Sequence, residues 1–82
     1  TEVERVGGWC LKLPAIHNAG LPDRLCLFPG GEVVFVELKA FGKKPRKIQT
    51  LMHQKLKAMG FRVEVIDTTM GCKMLALEYD RK

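Results

Sequence analysis

The sequence predicts an α/β protein, a small mixed β-sheet flanked by helices, and three observations carry that prediction. Asp23–Phe28 and Val33–Lys39 are strand-like runs joined by Pro29-Gly30-Gly31-Glu32, turn chemistry that folds the second run back antiparallel onto the first. Val33–Lys39, a helical stripe and Phe61–Ile66 follow in the order strand, helix, strand, a crossover that lays the last strand parallel to the central one. Within VVFVELK both parities begin apolar, Val33 with Phe35 and Val34 with Val36, which marks a central strand covered on both faces.

The remaining elements follow in chain order. Thr1 to Val6 reads as the last turns of a helix, with Thr1 and Glu4 at capping-box spacing and Gly7-Gly8 ending it. So short a helix is marginal alone, and the expectation is that the chain begins partway through a longer one. Trp9 to Leu13 alternates Trp9, Leu11 and Leu13 against Cys10 and Lys12, a first strand stopped by Pro14. The loop PAIHNAGLP is long enough to be functional or mobile. Phe41 to Lys47 is a basic connector, and Pro45 suits the first position of the helix after it. Ile48, Leu51, Met52, Leu56 and Met59 recur at helical spacing, which predicts an apolar face packed into the core, with Gly60 as the C-terminal cap. Arg62 and Glu64 should face outward from the last strand. Asp67 or Thr68 could cap a short helix carrying Met74, Leu75 and Leu77, weakened by Gly71.

Bulk properties narrow the classes. A chain of 82 residues reads as one small domain, residues 1–82, whose limited core favours a partner. Its 46% hydrophobic and 28% charged residues exclude a disordered or membrane-spanning chain, and no export or anchoring signal is evident. A net charge of +5 points to a polyanion, nucleic acid first, against the alternative of a solvated basic surface. Cys10, Cys26 and Cys72 are an odd number without a close pair, suiting neither a zinc site nor a disulfide framework; they read as reduced thiols of an intracellular protein.

Three groups carry the chemistry. Asp23 opens one strand, while Glu37 and Lys39 close its antiparallel neighbour on one face. Two carboxylates within reach of each other repel unless a cation or proton lies between them, and a hard divalent ion is the simplest partner. A lysine two residues from the second carboxylate can hold or deprotonate a water, or stabilise charge on a phosphate, so metal plus lysine is a phosphodiester-cleaving arrangement. An isolated E-x-K is equally well a surface pair at a strand end. The Pro22-Asp23 dipeptide, the strand context and the basic connector favour the catalytic alternative.

These residues also carry a resemblance. GLPDRLCLFPGGEVVFVELKAFGKKPRKIQ closely resembles the virus-type replication-repair nuclease (VRR-NUC) family of the PD-(D/E)xK nuclease superfamily, and the similarity runs from about Gly7 to Asp67. Its motif elements are Gly20-Leu21-Pro22-Asp23, Glu37-Leu38-Lys39, and Gln49 early in the following helix. The resemblance implies a restriction-endonuclease-like core and cleavage of DNA with Mg²⁺ or Mn²⁺. It implies that Asp23, Glu37 and the backbone carbonyl of Leu38 hold the metal, that Lys39 positions or activates the attacking water, and that Gln49 orients water or substrate. The family usually has a further glutamate in its N-terminal helix; Glu2 and Glu4 are candidates, against a solvated helix face.

Lys43, Lys44, Arg46 and Lys47 suit phosphate contact, as do Lys12 and Arg24. His53 is read as a helix-flank residue and His17 as a loop or DNA-contact residue rather than a general base. Together these features predict a metal-dependent DNA endonuclease, and the resemblance implies branched, flap or Holliday-junction-like substrates in a phage or bacterial cytoplasm. The rivals are a non-catalytic DNA-binding module of the same fold and an assembly domain. Met74, Leu75, Leu77 and Tyr79 lack an obvious partner within the chain, which predicts a homodimer.

Overall fold

The computed structural model describes residues 1–14 and 19–80; His17 lies outside the described residues. The elements run α1 (Glu2–Arg5), β1 (Trp9–Lys12), β2 (Arg24–Phe28), β3 (Glu32–Leu38), α2 (Lys47–Ala58), β4 (Arg62–Ile66) and α3 (Thr69–Glu78). One four-stranded sheet has the order β1-β2-β3-β4. The first three strands pair antiparallel and β4 joins β3 in parallel, as the hairpin and crossover signals predict. The turn at Gly30-Gly31 sets a register in which Phe28 faces Glu32 and Cys26 faces Val34.

Because side chains alternate along β3, each face of the sheet takes a different cover. Val34 and Val36 point to the face where Val3 of α1, Cys26, Phe28, Ile66 and Leu75 of α3 form the main apolar core. Phe35 and Glu37 point to the other face, across which α2 lies. Phe35 meets the ring of Phe61 edge-on at 5.6 Å. So small a molecule depends on each buried apolar residue; truncating Val34 in this core or Leu56 of α2 on the other face to alanine should cost about 2–4 kcal/mol.

Several expectations need correction. The predicted apolar stripe of α2 coincides only in part, at Leu56 and the half-buried Met52, with its buried face. Gln49, His53 and Leu56 are buried, whereas Ile48, Leu51 and Met59 are exposed. The helix is rolled toward the polar partner it has on the sheet, Glu37, rather than toward maximal apolar burial. Pro45 is not the first helical residue: Arg46 is the N-cap, and its backbone N–H donates to Gln49 Oε1 at 2.8 Å, an interaction proline could not supply. Arg62 and Glu64 do not simply face water, because Arg62 bonds Glu64, Glu78 and the Tyr79 hydroxyl, clipping β4 to α3. In α3, capped by Thr68, Leu75 is buried and Tyr79 stacks on Phe28 at 4.2 Å, so both have partners; Met74 and Leu77 remain exposed. The thiols of Cys10 and Cys26 stand 3.4 Å apart across β1 and β2, and all three cysteines are free. No helix among the described residues is long and apolar enough to cross a membrane.

Candidate functional site

The site grows from the end of β3. Glu37 is only 3% exposed, because it sits in the central strand beneath α2. Its Oε2 accepts a hydrogen bond from Gln49 Nε2 at 3.3 Å and lies 3.6 Å from Lys39 Nζ. Its Oε1 is buried without a hydrogen-bond partner, 3.8 Å from His53 Nε2, which also lacks one. Burial first, then the nearby charge of Asp23, pushes the Glu37 carboxyl above the ordinary carboxylate range, and Lys39 and Arg46 oppose the rise. His53 is pushed below the usual imidazole value by burial and by Lys57 and Lys39, which favours its neutral form.

Asp23 lies one step beyond the Arg24↔Val36 pair, so it approaches Glu37 across the two strands. Its Oδ1 accepts from the backbone N–H of Leu38 at 3.2 Å, and its carbonyl accepts from Leu13 N at 2.8 Å. The residues before it fix this placement. Pro22 is fully buried, and Gly20 packs against the first turn of α2. Gly20 has φ +85, and a Cβ there would stand 2.6 Å from the carbonyl oxygen of Ile48, so only glycine permits the approach. The loop that delivers Asp23 thus also seats the helix turn that delivers Gln49.

Gln49 is held at both ends, its Oε1 by the N–H of Arg46 and its Nε2 on Glu37. The structure therefore brings Asp23, Glu37, Leu38, Lys39 and Gln49 together. His53, one turn beyond Gln49 on the same buried line, belongs to this cluster although its sequence position alone reads as a helix flank. The signal was present in the i, i+4 spacing of two polar residues on a sheet-packed helix. Lys43, Lys44, Arg46 and Lys47 are exposed along the connector beside the cluster. Lys12 and Arg24 face each other across β1 and β2 on the side of Cys10 and Val36, opposite Glu37 and Lys39. Glu2 is bonded to Arg5 and belongs, with α1, to that opposite face. A cavity of about 300 Å³ also opens there, with Glu2, Val3, Cys10, Arg24, Cys26 and Cys72 in its lining and neither Asp23 nor Glu37.

The donors suit a divalent cation. Asp23 and Glu37 offer hard oxygens, one of them buried and unpartnered, and burial followed by the nearby charge of Asp23 raises the Glu37 carboxyl, a cost to its charged form that a cation would relieve. Among the described residues no group of three or more His, Cys, Asp or Glu side chains is gathered to hold an ion. Backbone, water and phosphate oxygens would have to complete the shell, which is how Mg²⁺ is commonly held.

Comparison with known proteins adds an independent line. No family model matches the chain. A protein described as "Putative nuclease p44" of Acyrthosiphon pisum secondary endosymbiont phage 1 is 41% identical over 68 residues, covering 83% of this chain and 73% of that protein. A solved structure described as a VRR_NUC domain superposes with a TM-score of 0.83 at 31% identity, over 94% of this chain and 84% of its own. With relatives of that identity and coverage, and a sheet and helix that bring Asp23, Glu37, Lys39 and Gln49 to one place, the chain belongs to the VRR-NUC family of nucleases.

Proposed function

We propose that residues 1–82 form one catalytic domain that hydrolyses phosphodiester bonds in DNA with Mg²⁺ or Mn²⁺. The observation that carries this reading is Glu37: a buried carboxylate with one oxygen unpartnered, an aspartate beside it and a lysine 3.6 Å away. A DNA-binding module without catalysis gains nothing from carboxylates facing a polyanion.

In this proposal Asp23, Glu37 and the Leu38 carbonyl hold the cation, which when bound supplies charge to the scissile phosphate and acidifies its water. Asp23 is kept in place by the Leu38 N–H, so a ligand side chain and the backbone beside the proposed carbonyl ligand are coupled. From one helix face Gln49 bonds one oxygen of Glu37 and His53 packs 3.8 Å from the other, so the carboxylate has little room to rotate. Lys39 is close enough to Glu37 to share the same reacting phosphate and water; it holds the water or neutralises charge developing on phosphate oxygens. Lys43, Lys44, Arg46 and Lys47 grip the backbone of the DNA. Lys12 and Arg24 would touch DNA only where it passes the sheet edge onto the other face.

The proposed substrates are branched DNA, flaps or four-way junctions, and the proposed assembly is a homodimer in the cytoplasm of a bacterial host. The half-buried apolar sheet face of Leu11, Leu25 and Leu27 next to the exposed Trp9 supports an association of two copies. The function is checked by a cleavage assay on linear, nicked, flap and four-way DNA, with divalent metal and with excess chelator. Cleavage of branched DNA that stops in chelator is expected; cleavage undiminished by chelator, or none under any metal, refutes it.

A further inference from the structure

Immediately after β3 the chain makes a tight turn over Ala40–Lys43, closed by the Lys43 N–H donating to the Ala40 carbonyl at 2.9 Å. Gly42 occupies the third position at φ +78, the conformation a type II turn requires there. Its N–H donates to Asp67 Oδ2 at 3.1 Å, tying the turn to the end of β4. This construction holds Phe41 at the second position of the turn, 81% exposed, more than any other large apolar side chain among the described residues. A phenylalanine held in water by an anchored turn forgoes the stabilisation of burial.

Its neighbours indicate what it meets. Two residues earlier is Lys39, with Nζ 3.6 Å from Glu37. Immediately after the turn's glycine come Lys43, Lys44, Arg46 and Lys47, all exposed. Cations that take phosphates beside an aromatic face that takes bases are the two components of a single-strand nucleic acid surface. In an intact duplex every base already stacks on both sides. At a flap or junction a base is free to leave the stack.

We infer that Phe41 is a base-stacking platform, its ring receiving an unpaired or frayed base of the DNA next to the scissile phosphate while the basic connector holds the backbone. The inference rests on the nuclease reading and deepens it by naming the structural feature of DNA that the site prefers. Selection of branched DNA then comes from one aromatic on the loop after the catalytic strand, independent of sequence, because every base offers a π-face.

The experiment uses a flap DNA with 2-aminopurine at the unpaired position next to the branch, bound by Glu37→Gln protein so that it stays uncut. Stacking on Phe41 quenches the probe. The quench should disappear in the Glu37→Gln/Phe41→Ala protein and persist in Glu37→Gln/Phe41→Trp. In parallel, Phe41→Ala alone should lower the ratio of flap to duplex cleavage by about tenfold, with Phe41→Trp restoring it and Phe41→Leu failing to. An equal quench in the Phe41→Ala protein, an unchanged cleavage ratio, or conversion of a dimer to a monomer by Phe41→Ala would overturn the inference, the last by making Phe41 a contact between copies. If the unaltered protein cuts no DNA, the nuclease reading fails, and the quench still decides Phe41 by itself.

Discussion

Glu37 and His53 present two buried polar atoms, Oε1 and Nε2, 3.8 Å apart and each without a hydrogen-bond partner. Leaving such groups unmatched costs about 1–3 kcal/mol apiece, so their retention points to a use in the bound state. In the proposed function Gln49 fixes one oxygen of Glu37, and the imidazole, packed 3.8 Å from the other, limits where that oxygen can swing. His53→Ala should therefore reduce cleavage by about ten- to a hundredfold, the range typical of residues that orient metal ligands. His53→Gln, which keeps a polar group on that face of α2, should recover part of the loss. Equal rates in the alanine variant would show that Glu37 needs no support from this side.

At the scale of elements, the sheet was legible and the roll of α2 was not. Period-2 alternation, the Pro29–Glu32 turn and the strand–helix–strand order determine pairing directly, and the register agrees with them. The apolar stripe of α2 misled because hydrophobicity ignores polar partners. Gln49 and His53 turn inward to meet a buried carboxylate, and Ile48 and Leu51 turn out. Asp23, Glu37 and Lys39 were legible as a group because neighbouring strand ends bring them together, whereas Gln49 was legible only through the family resemblance. Lys12 and Arg24 were grouped with the other basic residues by charge alone, and only the cross-strand register reveals that they lie on the far face.

The Gly20 contact has a consequence at this scale. A Cβ at Gly20 collides with the Ile48 carbonyl, so Gly20→Ala must push the first turn of α2 away from the loop. The substitution should cost more than about 1 kcal/mol in chemical denaturation and lower cleavage further than its stability loss explains, since Asp23 and Gln49 move together. Activity that merely tracks the folded fraction would contradict that coupling. The connector makes a separate prediction. Neutralising Lys43, Lys44, Arg46 and Lys47 together should weaken DNA binding and flatten its dependence on salt by up to about 0.9 per lost phosphate contact. An unchanged slope would place the DNA elsewhere.

For the whole molecule the question is what covers its apolar surface. Met70, Met74 and Leu77 on α3, Ile48, Leu51 and Met59 on α2, and Trp9 on β1 are all exposed. Their number exceeds what isolated surface residues explain in so small a chain. A two-fold dimer would bury part of this surface and present two sites to the strands of one branched DNA. Sedimentation at micromolar concentration should return twice the 9.3 kDa chain mass; a clean monomer would refute the dimer while leaving the site untouched.

The pairing of Asp23 with Glu37 through a divalent ion is decided by the Mg²⁺ dependence of flap cleavage, measured for the unaltered protein beside Glu37→Gln and Asp23→Asn. The unaltered protein should saturate with Mg²⁺ and fall silent in chelator. Each variant should lose at least about a hundredfold in rate while binding DNA as well as before, because a ligand charge is removed and the basic surface is not. Full cleavage by either variant, or Mg²⁺-independent cleavage by the unaltered protein, would contradict it.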